Sequence, residues 1–162
     1  MDEVTTTGMK NLPFRRGWRN MKTREIKRTS CVFNRTRESF LGLRVAHADT
    51  VLRRLKGALG KVQLEPDDGI WLIPSRGIHT IGMLFPIDLI YLDAGTRVIH
   101  LVEHLGPFRV SPIKIKCFSI LELPPRTIYA SNTQIGDELL ICTPEEMTRH
   151  CEKSKTQSAT GT

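Results

Sequence analysis

The stretch from Ile87 to Leu92 constrains the fold of this chain more than any other. Its six residues alternate, so that three side chains fall on each face of an extended backbone, and both faces are mostly apolar. This predicts a strand that is covered on both sides. The segment 93–96 breaks the pattern, and Gly95 is expected to take the positive φ of a short hairpin loop. Arg97–Val102 then predicts a second strand, antiparallel to the first.

Other segments have the same β-type character, and one segment is helical. The helical segment is 51–59, which has apolar residues at helical spacing, an N-cap oxygen from Asp49 or Thr50, and Gly60 at its end. Because strands far outnumber helices, we expect a mainly β fold, a small antiparallel β-barrel or sandwich with one short packed α-helix. The remaining predicted strands lie in a hairpin from Cys31 to His47 and in Ile70–Ile73, Cys117–Leu123 and Glu138–Cys142.

Polar residues interrupt apolar sequence between Ser75 and Met83, just before the central strand. One interpretation is a ligand-binding site in which Arg76, His79, Thr80 and Asp88 converge. The other is a connecting loop whose polar groups satisfy buried backbone groups and one another, which is the usual role of buried polar residues. The residues themselves do not decide between the two.

Length and charge divide the chain into three parts. The 162 residues suit one domain, with a disordered basic leader at 1–29, a single β domain at 30–143 and a polar C-terminal tail at 144–162. Ten Lys or Arg and three acidic residues lie in 1–37, which accounts for the whole net charge of +7. Basic residues interleaved with aromatics at 10–37 suit nucleic acid. The alternative is an unstructured extension, or a true start at Met9 or Met21.

The cysteine spacing and one histidine motif bear on metal chemistry, and neither predicts a metal site. The four cysteines have no Cys-x-x-Cys spacing, which disfavours a zinc ribbon or a redox dithiol and fits a reducing, cytoplasmic location. His100-Leu101-Val102-Glu103-His104 has the spelling of an inverted zinc protease motif. Because the segment lies between a turn and Gly106-Pro107, we expect a strand in which Glu103 faces away from both histidines. The sequence therefore predicts no catalytic residue, metal or cofactor.

Membrane and export signals are also missing from the sequence. There is no run of 18 or more apolar residues, and no apolar segment follows the first residues. We therefore expect no membrane partner.

Several short motifs follow one another in order along the chain. They are Ala48-Asp49-Thr50, Arg54, Gly57–Gly60, Phe85–Leu89, Leu92-Asp93, Gly95–Val98, Leu121–Pro124 and Ile135–Glu138. In this order and spacing the chain resembles the bacterial and archaeal family known as domain of unknown function 192. That resemblance implies a compact β fold and no established activity. Many members have Phe-Trp-Met-Lys-Asn-Thr where this chain has residues 78–83, so a family pocket would differ here.

Three functions remain open at this stage. The first is a non-enzymatic ligand-binding or accessory module in which Arg76 holds a small anionic group by charge-assisted hydrogen bonds. The second is a hydrolase-type enzyme with His79 as general base, oriented by Asp88. The third is nucleic-acid binding through the basic leader.

Overall fold

A computed structural model describes residues 29–48 and 64–159, with side chains as far as Lys153. This part of the chain forms seven strands and two short helices, and the predicted helix at 51–59 lies outside it. The strands are β1 (Thr29–Asn34), β2 (Ser39–Ala48), β3 (Asp68–Leu72), β4 (Ile87–Leu92), β5 (Val98–Leu105), β6 (Ser119–Leu123) and β7 (Leu139–Cys142), and the helices are α1 (Thr127–Ser131) and α2 (Pro144–Ala159).

The seven strands form one sheet in the order β5-β4-β6-β3-β2-β1-β7. Every pair is antiparallel except β2 and β3, which run parallel. The sheet is thus antiparallel, as predicted, apart from this one pair. A parallel pair needs a crossover connection rather than a hairpin, and the 19 residues between Ala48 and Asp68 are enough for one.

The sheet curls into a half-barrel whose two edge strands meet at one end. Arg97, just before β5, forms an antiparallel bridge with Glu138, just before β7. Across this junction the Val98 amide donates to the Asp137 backbone carbonyl (2.9 Å), and the Leu139 amide donates to the Thr96 backbone carbonyl (3.1 Å). The curled sheet with its two helices confirms the predicted mainly β, barrel-like fold.

Strand β4 lies between β5 and β6, and all six of its residues are buried. Ile87, Leu89 and Tyr91 join one apolar cluster, while Ile90 and Leu92 join a second cluster that also contains Ile128 of α1. The prediction that this strand is covered on both faces is confirmed. The described part of the chain therefore has two small cores, one on each face of the sheet.

The β4–β5 turn differs from the prediction in one detail. Thr96, not Gly95, takes the positive φ of 61°. The Asp93 carboxylate accepts hydrogen bonds from the amides of Gly95 and Arg97, both at 2.9 Å. The Thr96 hydroxyl donates to the Leu139 carbonyl at 2.7 Å. These bonds hold Thr96 in a conformation that usually favours glycine.

The stretch predicted as a polar tail contains α2, which begins immediately after β7. A sequence signal for its start was missed. Thr143 and Glu146 form a reciprocal cap: the Glu146 amide donates to the Thr143 hydroxyl (3.3 Å), and the Thr143 amide donates to the Glu146 carboxylate (2.9 Å). Pro144 occupies the first helical position, where proline is favoured.

Candidate functional site

The candidate site lies on two neighbouring segments, 74–86 and 106–118, which we call the ribbon. The segments run antiparallel and are joined through His79 and Val110. Backbone amides of Thr80, Ser111 and Lys114 donate across the ribbon to carbonyl oxygens at 2.8, 2.9 and 2.9 Å. The segment predicted as a link between strands is thus an ordered two-stranded layer over the sheet.

Buried side chains fix the ribbon to the sheet beneath it. Met83, Phe85 and Cys117 belong to the same apolar cluster as β4. The Tyr91 hydroxyl, on β4, donates to the Pro112 carbonyl at 2.9 Å. Burial raises the pKa of Tyr91, which keeps the phenol protonated as a donor. The ribbon is therefore attached to the core through one face. We call its opposite face, which points away from the sheet, the upper surface.

A groove of about 710 Å³ runs along the ribbon. Arg76 and His79 are exposed at it, and neither side chain has a hydrogen-bond partner among the described residues. Its walls are otherwise mainly aliphatic. The lining residues are Pro74, Ser75, Arg76, Gly77, Ile78, His79, Ile81, Val110, Ser111 and Ile113.

Thr80, the third predicted site residue, faces away from the groove and is fully buried. Its hydroxyl donates to the Gly106 carbonyl at 2.7 Å and accepts from the Arg109 amide at 2.9 Å. Thr80 therefore joins the two segments of the ribbon, as the structural interpretation of this stretch expected.

Asp88 is also fully buried and lies apart from the groove-lining residues. One carboxylate oxygen accepts from the His104 amide at 2.9 Å and the other from the Ile128 amide at 3.0 Å. The first bond fixes a bulge in β5, and the second fixes the start of α1. With both oxygens bonded to backbone, Asp88 does not orient His79, so the predicted His79–Asp88 acid–base pair is not formed.

The His100–His104 run lies in β5, as expected. A bulge at Glu103 and His104, where His104 has a φ of 55°, interrupts the alternation of side chains that we expected there. Across residues 29–48 and 64–153, no group of three or more His, Cys, Asp or Glu side chains is arranged to hold a metal ion.

Burial keeps three of the four cysteine thiols protonated. All four are free, and Cys31 and Cys117 are buried. Burial, with smaller contributions from Cys142, Cys151 and Glu145, raises the pKa of Cys31 to about 12. Burial also raises the pKa of the other core thiol, Cys117, and that of Cys142. Protonated thiols are poor nucleophiles, so these residues act as small apolar side chains.

A polar network that the sequence analysis missed lies where β1 approaches the turn before β7. Asn34 is fully buried, and its side-chain amide donates to the Thr133 hydroxyl (3.1 Å) and to the Asp137 carboxylate (2.9 Å). Arg37 donates to the same carboxylate at 3.1 Å. Although burial alone would raise the pKa of Asp137, these bonds and one from the Gln134 amide lower it. The network fastens two segments about 100 residues apart.

A second missed contact joins β1 to β2. The Ser30 hydroxyl lies 2.7 Å from Nε2 of His47, and the His47 ring meets the edge of Trp71 on β3, with ring centroids 5.0 Å apart. Ser30 and His47 lie on neighbouring antiparallel strands. A serine and a histidine 17 positions apart gave no sequence signal for this pairing.

The basic leader lies almost entirely outside the described residues. Of the segment 10–37 predicted to bind nucleic acid, the structure describes only 29–37. Within that part, Arg37 forms an ion pair with Asp137. Nucleic-acid binding by the leader stays a prediction. No helix in the described part of the chain is both long enough and apolar enough to cross a membrane.

Comparison with known proteins agrees with the sequence resemblance. The model of the domain of unknown function 192 family (DUF192), described as "Uncharacterized ACR", matches residues 32–141. The chain belongs to this family. No curated protein matches the chain significantly.

Two solved structures share the fold of this DUF192 family member. One is a protein of unknown function from Novosphingobium aromaticivorans, with a TM-score of 0.59 and 18% identity over 69% of this chain and 83% of that one. The other, from Sinorhizobium meliloti, is named provisionally as a transcription regulator. It has a TM-score of 0.57 and 17% identity over 70% of this chain and 92% of that one. At this level of identity the likeness shows the fold alone.

Proposed function

We propose that this protein is a non-enzymatic binding module for a small anionic ligand with an apolar body. The ligand would place its anionic group against Arg76 and its apolar part along the aliphatic walls of the groove. The single observation that supports this most is an exposed guanidinium, without a partner in the described chain, at the edge of an otherwise aliphatic concavity.

The groove has the dimensions and chemistry that small-molecule sites usually have. Its volume of about 710 Å³ lies within the ordinary range for such sites, and its lining combines aliphatic side chains with a few polar groups. A guanidinium forms bidentate hydrogen bonds with a carboxylate or phosphate. His79 adds a directional hydrogen bond beside it. The ribbon is fixed to the sheet, so the site is largely formed before a ligand arrives.

The arrangement supports binding better than it supports hydrolysis. General-base catalysis needs an imidazole that is oriented by a second group, and the carboxylate predicted for that role is bonded elsewhere. None of the other groove-lining residues is an acid or a cysteine. The groove therefore presents recognition groups without a nucleophile and base in contact.

Three eight-carbon probes with different head groups test this proposal: octyl phosphate, octanoate and octanol, each below its aggregation concentration. Isothermal titration of the wild-type chain is expected to show tighter binding of the two anions than of the neutral alcohol. Arg76→Ala is expected to weaken anion binding about tenfold or more, because a charge-assisted hydrogen bond is lost. Octanol binding should change little.

Arg109→Ala is the matched control, since Arg109 is an exposed arginine of the same ribbon that does not line the groove. It should leave the affinity for octyl phosphate nearly unchanged. Equal losses in the two variants would mean that the anion responds to general positive charge. That result, or no anion binding by the wild type, would overturn the proposed site.

A further inference from the structure

The ribbon exposes a set of large apolar side chains that goes beyond the groove. Six of them are between 57% and 82% exposed, far more than side chains that line a closed core. Three of the six (Ile81, Val110 and Ile113) also line the groove, and the other three do not. The six are Ile81, Leu84, Phe108, Val110, Ile113 and Ile115, and Phe118 of the same ribbon is a seventh, 45% exposed.

The charges among these side chains have one sign. Segments 74–86 and 106–118 contain no Asp or Glu. Their cations are Arg76, Arg109, Lys114 and Lys116, of which all but Lys114 are exposed. The carboxylates nearest along the chain are Asp88, which is fully buried on β4, and Glu103, which lies on β5. The ribbon thus combines projecting apolar side chains with charged side chains that are all cationic.

We propose that the upper surface of the ribbon docks on an anionic phospholipid bilayer. The aliphatic side chains enter the boundary between headgroups and acyl chains, and the cations meet the lipid phosphates. This combination of buried apolar area and electrostatic attraction to anionic lipid is what holds peripheral proteins on membranes. The proposal concerns binding at the surface, with no segment crossing the bilayer, and it does not depend on a ligand in the groove.

Other partners fit the same surface less well. A second copy of the chain would bring two cationic ribbons together, and the repulsion would oppose association. Nucleic acid would use the cations but gains most from aromatic stacking, whereas five of the seven exposed apolar residues of the ribbon are aliphatic. A fluid bilayer accepts individually projecting side chains without shape complementarity. A folded protein partner would need matching pockets for them.

No pattern in the sequence indicates this surface, because neither segment is long or continuously apolar. The exposed residues are separated in the sequence by buried or polar ones such as Thr80, Met83 and Ser111. They come near one another only because the two segments lie side by side in the fold. The expectation of no membrane partner rested on the absence of a spanning segment, which leaves peripheral binding open.

Vesicle flotation tests the proposal with the full chain, on phosphatidylcholine alone and on an equimolar mixture with phosphatidylglycerol. Leu84→Ser/Ile115→Ser removes two projecting side chains that do not line the groove. It is expected to lower partitioning to mixed vesicles about tenfold. The matched control is Tyr129→Ser/Ile135→Ser, whose residues are 74% and 64% exposed away from the ribbon. It should bind like the wild type.

Arg109→Glu/Lys116→Glu is expected to weaken binding to mixed vesicles by at least about tenfold. Its control is Arg149→Glu/Lys153→Glu, which makes the same charge change on exposed residues of α2. Binding to mixed vesicles that is lost in both ribbon variants and kept in both controls supports the proposal. Binding retained by all four variants would place it elsewhere, for example in the basic residues 1–28, and would overturn it.

Absence of vesicle binding by the wild type would also overturn the proposal. The proposal would likewise be overturned if the ribbon variants kept vesicle binding but lost RNA binding, measured by filter binding, or self-association, measured by sedimentation velocity. The experiment is separable from the test of the groove, since Arg76→Ala keeps Leu84 and Ile115. Anion binding can therefore fail while vesicle binding persists, and the reverse.

Discussion

Asp88 and Arg76 were predicted to belong to one site, yet the structure places them in opposite circumstances. The Asp88 side chain is fully buried, and both its oxygens accept backbone hydrogen bonds. The Arg76 side chain is exposed at the edge of a groove and bonds to no described residue. The same contrast separates the neighbours Thr80 and His79. Within one short stretch, polar residues divide into those that hold the fold and those that face the groove.

This division follows from the free energy of burial. A buried carboxylate or hydroxyl is tolerated only when hydrogen bonds replace those that it made with water. Such a residue has its bonding capacity occupied and gains nothing from a ligand. An exposed guanidinium has no such cost and can still form new bonds. The two classes should therefore respond differently to substitution: one loses stability and the other loses binding.

The largest expected effect is that of Asp88→Ala. It leaves the amides of His104 and Ile128 without their acceptors and removes the link between β4, the β5 bulge and α1. We expect the free energy of unfolding in urea to fall by about 3–5 kcal/mol. Arg76→Ala is the control and should change it by less than about 0.5 kcal/mol. Similar stabilities for the two variants would contradict the contrast drawn here.

A smaller, pH-dependent loss is expected for Asp137→Asn. Its pKa in the folded protein is lowered from the reference value of 3.8, so the carboxylate contributes stability above that pH. The contribution is lost as the pH falls below 3.8 and through the folded-state pKa. The variant should therefore be less stable than the wild type by about 2 kcal/mol near neutral pH. The difference should shrink below about pH 4 in parallel urea titrations. A difference that stays constant into acid would show that the charge is unimportant.

The parts of the fold that sequence predicted correctly are those governed by local pattern. Alternation in 87–92 identified the central strand and its two covered faces, and the turn-and-strand pattern identified the β4–β5 hairpin. The parallel pairing of β2 with β3 was missed because pairing across a long connection leaves no local signature. The Asn34–Asp137 contact was missed for the same reason, since 103 positions separate the partners.

The candidate site was predictable as a location but not as a set of residues. The groove lies along the polar interruption at 75–83. Which side chains face the groove depends on how the two segments of the ribbon pair. These segments are distant in sequence, since 29 positions separate Thr80 from its partner Arg109. Asp88 has the residue type and the spacing of a site residue. Only its two backbone partners, brought in from β5 and α1, identify its structural role.

The smallest effect, and the sharpest form of the comparison, concerns the adjacent residues His79 and Thr80. Thr80→Val keeps the shape of the side chain but leaves the Gly106 carbonyl and the Arg109 amide without the hydroxyl. It should lower the free energy of unfolding by about 1–2 kcal/mol. At a temperature where the variant is folded, its affinity for octyl phosphate should be unchanged. His79→Ala should do the opposite, with stability within about 0.5 kcal/mol of wild type and weaker octyl phosphate binding. If Thr80→Val weakened binding as much as His79→Ala, the ribbon would be one cooperative unit, and burial would not separate its structural residues from its binding residues.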